Sequence, residues 1–153
     1  GFTNMQEIFL LSLFIGGLSE LMKQQGGLDF LLKNVIKLLS KLKSVSEYYK
    51  NQIVIGLLGM VSNFAIANNT VAIIVTGETA KQLAKSSNIE PKRSASILDI
   101  FTCIAQGLVP YGAQVLLTAA AFKLSPIEVV SHAWYSMALL CVTVLIMFSR
   151  KSG

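Results

Sequence analysis

Apolar residues fall in long runs along this chain, separated by short polar groups, and the spacing of the two defines the expected elements. The run over 5–24 has the length of a membrane crossing, with Gly16, Gly17 and Ser19 as a small-residue face for close packing. Over 28–43 the pattern changes. Leu28, Leu31, Leu32, Val35, Leu38 and Leu39 recur at helical spacing opposite Lys33, Lys37 and Lys41, which predicts an interfacial amphipathic helix. Next comes IVIGLLGMVSNFAIA (Ile53 to Ala67), then Asn68-Asn69-Thr70, then VAIIVTG (Val71 to Gly77). A spanning helix needs roughly 20 apolar residues, so 53–83 is too short for two crossings. Adjacent amides are also costly to bury unpaired in lipid. Two half-length arms meeting at a polar tip resolve both difficulties, and the expectation is a re-entrant helical hairpin over 50–85. The segment 95–122 is long enough to cross but carries Gly107-Leu108-Val109-Pro110-Tyr111-Gly112. There the proline removes a helix hydrogen bond and the glycines permit unwinding, predicting a broken transmembrane helix. After Ser125-Pro126, 127–149 reads as a last crossing. The predicted fold is an all-α integral membrane protein, one membrane domain over 1–153 with an interfacial helix, a re-entrant hairpin and a broken transmembrane helix.

Composition agrees. Hydrophobic residues make up 53% of the chain and charged residues 14%, against about 25% charged in ordinary soluble domains. The net charge of +5 raises nucleic acid as a partner, but no basic groove or aromatic-interleaved motif is present, so none is expected. In this layout every Lys and Arg except Lys123 falls on one side of the membrane. That asymmetry predicts a cytoplasmic hairpin mouth and C-terminus, in a multi-pass protein of the cell membrane. Cys103 and Cys141 lack metal-type spacing. No nucleophile–base pair, metal cluster or phosphate loop is recognisable, so neither an enzyme nor a bound cofactor is expected.

A hairpin tip facing a broken helix is how many secondary transporters build an ion site, because half-helix ends leave backbone groups unpaired. A carbonyl end attracts a cation. Sodium is a hard cation that favours oxygen ligands, as calcium and magnesium do. Side-chain oxygens of Ser62, Asn63, Asn68, Asn69, Thr70 and Gln114 meet that need, with Pro110, Tyr111 and Gly112 as the broken segment beside them. Asn68, Asn69 and Thr70 are the expected sodium ligands at the tip. The alternative for the amides is hydrogen bonding between helices. Asp99 is the one acid well inside an apolar segment and shares a helix face with Thr102, Cys103 and Gln106. Asp99 with Gln106 is therefore the candidate for proton coupling; an acid merely near the start of its helix is the competing reading.

Three strings carry a family resemblance: Gln25-Gly26-Gly27-Leu28-Asp29, IANNTVAIIVTG (Ile66 to Gly77) and RSASILDIFTCIAQGLVPYGAQ (Arg93 to Gln114). Together they resemble the C-terminal half of NhaC-type sodium/proton antiporters. The resemblance implies two inverted repeats, each with a surface helix, a re-entrant hairpin and a broken helix. It places Asn68, Asn69, Thr70 and the segment from Pro110 to Gln114 at the cation site, and makes Asp99 the proton-coupling candidate. It also implies an N-terminal half or partner subunit to close the site.

The expected function is secondary active transport, with sodium and protons competing for one site in a lipid bilayer. Two alternatives remain open. One keeps the fold and exchanges small carboxylates or amino acids with sodium or protons. The other is a truncated membrane fragment that transports nothing.

Overall fold

A computed structural model describes residues 6–27, 30, 33, 34, 36, 37 and 46–149 of the chain. Most of the expected surface helix over 28–43 lies outside the described residues, although Lys33, Asn34, Ile36 and Lys37 are helical. The described elements are α1 (Gln6–Gln24), α2 (Glu47–Ile66), α3 (Asn69–Ser86), α4 (Pro91–Leu108), α5 (Ala113–Phe122), α6 (Pro126–Ser131) and α7 (Trp134–Ser149). Among the described residues there is no strand.

Local chemistry sets the ends. α2 stops at Ala67, which turns left-handed at φ 54° and returns its N–H to the Asn63 carbonyl at 2.7 Å. Asn68 then lies extended, and its Oδ1 accepts from Val71 N at 3.1 Å, capping α3. Pro91 opens α4 as one of its first two residues, where its missing N–H costs nothing. α4 ends at Leu108. Pro110 has no amide to continue it, and Val109 to Gly112 form an irregular link before α5.

Two expected elements differ in the structure. The arms of the hairpin are longer than the apolar run 53–83 suggests. α2 has 20 residues and α3 has 18, because both helices continue through polar flanks at Glu47–Asn51 and Lys81–Ser86. At about 1.5 Å per residue each reaches close to 30 Å, so length does not separate a dip from a crossing. The segment 127–149 is two helices rather than one. Ser131 Oγ donates to the Glu128 carbonyl at 2.8 Å, and His132 Nδ1 lies 2.8 Å from the same oxygen. These side chains occupy the acceptor that a continuing helix would offer to the His132 amide, which bonds to Val129 O instead. A capping box of Ser125 and Glu128 holds the other end of α6.

α4 is the central helix. It packs against both arms of the hairpin and against α7, while α1 touches α2 and α5. Glycines permit the closest approach. A Cβ placed on Gly56 would sit 2.8 Å from the Phe101 ring, and one on Gly59 2.8 Å from Leu98 Cδ1 and 2.9 Å from Thr102 Cγ2. Gly59→Val is therefore expected to push α2 off α4 and destabilise the fold by about 1–3 kcal/mol. Thermal unfolding in detergent reads this, and an unchanged melting temperature would show that the two helices have room to spare.

Polar side chains are buried within the apolar core while large apolar side chains face outward. Gln52, Ser62, Asn63, Thr76 and Thr102 are fully buried, whereas Phe14 and Leu18 on α1 and Tyr135 and Leu145 on α7 are exposed. Among the described residues, 91–122 is the one helical stretch long and apolar enough to cross a membrane; Trp134–Ser149 is apolar but shorter.

Candidate functional site

The polar residues expected at the ion site divide into two groups in space. Ser62 and Asn63 lie on the inner face of α2 and are fully buried. Asn63 Nδ2 donates to the Thr102 carbonyl of α4 at 2.6 Å. At the tip, Asn69 Nδ2 reaches the Cys103 sulfur at 3.4 Å. One turn further along α4, Gln106 Nε2 lies 2.5 Å from Gln114 Oε1 and 3.4 Å from the Ala67 carbonyl. Gln106 thus joins the tip of the hairpin to both sides of the α4–α5 break. Tyr111 adds a second link, its hydroxyl donating to the Phe64 carbonyl near the end of α2.

The second group is mixed in exposure. Asn68 and Thr70 are exposed, and the Asn68 oxygen is already engaged in capping α3. Pro110 is half-buried and contributes the break itself. Gly112 is buried and opens α5 without a side-chain cap. A Cβ there would press on the Val109 carbonyl at 3.2 Å and reach contact with Gln106 Nε2 at 3.4 Å. Asn68 accordingly belongs to the architecture of the tip, and Asn69 to its inward face.

Hydrogen bonding between helices accounts for the amide nitrogens and leaves the oxygens over. Among the described residues, the buried side-chain polar atoms without a partner are four oxygens: Ser62 Oγ, Asn63 Oδ1, Asn69 Oδ1 and Gln106 Oε1. Buried polar atoms are nearly always paired, and each orphan costs about 1–3 kcal/mol. All four belong to the end of α2, the start of α3 and the facing turns of α4. The Asn63 and Asn69 nitrogens are tied to α4, and the Gln106 nitrogen to the tip and to Gln114. Each amide is therefore held with its nitrogen anchored. The donor set is of neutral oxygens; among the described residues no three His, Cys, Asp or Glu side chains gather to hold a metal ion.

Asp99 is exposed on α4, as is Cys103 one turn further on, while Thr102 and Gln106 on the adjoining face are buried. The shared face expected from their spacing is thus split between the interior and the surface. A thin connection crosses that divide: Cys103 Sγ lies 4.0 Å from Asp99 Oδ1 and accepts from Asn69 Nδ2. Gln52 and Arg93 escaped the sequence reading. Arg93 Nε donates to the fully buried Gln52 Oε1 at 2.9 Å across 41 positions. A glutamine beside an apolar run was the available signal, but its partner lies on another helix.

An all-helical chain with a buried polar seam, an apolar outer surface and a helical hairpin against an interrupted helix has the build of a secondary transporter. The chain belongs to the Na+/H+ antiporter family, whose model matches residues 1–150. That membership makes it a membrane protein of a transporter family, one of cation/proton antiporters. No match was found among curated proteins or among solved structures.

Proposed function

We propose that this chain is the C-terminal repeat of an NhaC-type sodium/proton antiporter and carries its cation site. The observation that supports this most directly is the set of four unpaired buried oxygens on the end of α2, the start of α3 and the facing turns of α4. Ser62 Oγ, Asn63 Oδ1, Asn69 Oδ1 and Gln106 Oε1 offer hard ligands to sodium, the transported ion. Gln114 holds the Gln106 nitrogen, and Tyr111 holds the tip against the break. Thr70 and Asn68 shape the tip rather than ligate.

Asp99 supplies the negative charge of the coupling. Its carboxylate approaches the thiol that Asn69 contacts, so its charge is felt at the tip. Protonating it removes an attraction for the cation, and sodium and proton then compete for one occupied state. In a multi-pass protein of the cell membrane the hairpin dips from the cytoplasmic side and returns. The buried, unpaired Asn69 oxygen at the turn between the arms favours a dip that keeps the tip inside protein. Asp99 and Cys103 are exposed on the stretch best suited to cross. A carboxylate facing lipid is expensive, so an N-terminal half or partner subunit covers that face.

A test of topology is Ser86→Cys, at the exposed end of α3. Impermeant thiol reagents are expected to label it from the cytoplasm alone; labelling from outside would invert the arrangement. A test of function is sodium-driven proton flux in proteoliposomes containing the chain with its covering half. Flux without sodium dependence would remove the ion site. The uncapped start of α5 at Gly112 favours one second reading, exchange of a small carboxylate. In that case an organic acid added to the same vesicles changes the sodium flux. A chain that supports no flux with any partner is a non-transporting fragment.

A further inference from the structure

At one end of the bundle α2 begins, α4 begins and α7 ends, and an apolar cavity of about 300 Å³ lies between them. That is the lower end of the roughly 300–1,000 Å³ typical of small-molecule sites. Ile53, Leu57 and Met60 form one stripe of α2, Val144 and Met147 face them from α7, and Phe101 of α4 lies between. The stripe from Ile53 to Met60 runs roughly 10 Å along the helix. Val144 is exposed, so the groove opens on the outer surface of the bundle. Its shape and lining suit a chain of methylenes.

Arg93 stands at the end of this groove. Its Nη2 donates to the carbonyl of Met147 at 3.4 Å, its Nε to Gln52, and its guanidinium lies 5.9 Å from the centre of the Tyr48 ring. Phe148, a further wall of the groove, stacks on Tyr49 with ring centres 5.6 Å apart. Two of the five guanidinium N–H donors are engaged, both by neutral oxygens. Among the described residues no carboxylate pairs with Arg93, although the side chain is half-buried. A partly desolvated cation normally has a counter-charge, and the planar guanidinium matches a phosphate in two-point contact.

We propose that the groove holds one acyl chain of an anionic phospholipid whose phosphate rests on Arg93. The neighbouring Lys92 is exposed and adds to the attraction. This does not rest on the ion-transport reading, because lipid retention is measured without any flux. The full chain, purified in detergent, is titrated with phosphatidylglycerol and with phosphatidylcholine of identical acyl chains, and bound lipid is counted by native mass spectrometry.

The expected result is retention of phosphatidylglycerol over phosphatidylcholine by roughly fivefold. Arg93→Gln abolishes that preference, whereas Arg93→Lys keeps part of it. Val144→Trp fills the groove and weakens binding of both lipids while helix content by circular dichroism stays the same. This second variant also decides the matter should Arg93→Gln fail to fold. Equal retention of the two lipids by the unaltered chain overturns the proposal. So does displacement of the lipid by inorganic phosphate, which would mark a site for a soluble anion. Unchanged binding by Val144→Trp, or a stable lipid-free dimer closed over the groove, overturns it as well.

Discussion

Asn69→Leu is expected to abolish sodium-dependent transport while leaving membrane insertion and helix content intact. The side chain has one nitrogen on Cys103 and one buried oxygen with no partner. If that oxygen serves only packing, replacing it with an apolar group of similar size is neutral or stabilising. If it ligates sodium, the substitution removes a ligand from a set of four. Thermal unfolding with and without sodium separates the cases. At a sodium concentration about a hundredfold above its Kd, a bound ion stabilises the native protein by about 2.7 kcal/mol. The unaltered protein should show that upward shift in melting temperature, and Asn69→Leu should lose it without a lower melting temperature in sodium-free buffer. Full transport by the variant, or a sodium-dependent shift like that of the unaltered protein, would take the tip out of the site.

Asp99→Asn is expected to remove the pH dependence of sodium binding. With the carboxylate present, acidification protonates it, the attraction for the cation falls, and the apparent KM for sodium rises as pH falls. An asparagine has no proton to gain, so its KM stays flat across the same range and coupled proton movement is lost. The sign of the effect follows from competition between proton and cation for one negative charge. Because Asp99 is exposed on α4, the substitution should leave thermal stability close to that of the unaltered protein. A pH profile that survives the change would assign proton coupling to another group, beyond this helix.

Much of the site's local architecture was legible before any coordinates. The polar turn at Asn68 and Asn69 separates two apolar runs and lies where α2 gives way to α3, although Asn68 was expected to ligate sodium and instead caps α3. Pro110 among glycines is a helix break, and α4 ends two residues before it. These signals act within a few residues of themselves, so the chain carries them openly. The length of the hairpin arms was less legible. Apolar content marks where a helix is suited to lipid, whereas helical hydrogen bonding continues into polar flanks such as Glu47–Asn51. The division of 127–149 was missed for a similar reason, since Ser131 and His132 redirect one carbonyl without altering the hydropathy pattern.

Periodicity and punctuation along the chain determined the helices, the polar tip and the interruption that faces it, because each depends on neighbours within one or two turns. Only the tertiary structure decided which amide oxygens stay unpaired. That outcome depends on Asn63 meeting a carbonyl 39 positions away and on Gln106 spanning from Ala67 to Gln114. It likewise decided that Asn69 turns inward while Asn68 is taken up as a cap, and that Arg93 lies beside Gln52 at the end of an apolar groove. Helical spacing tells which residues share a face; what stands opposite that face is settled by the packing of separate helices.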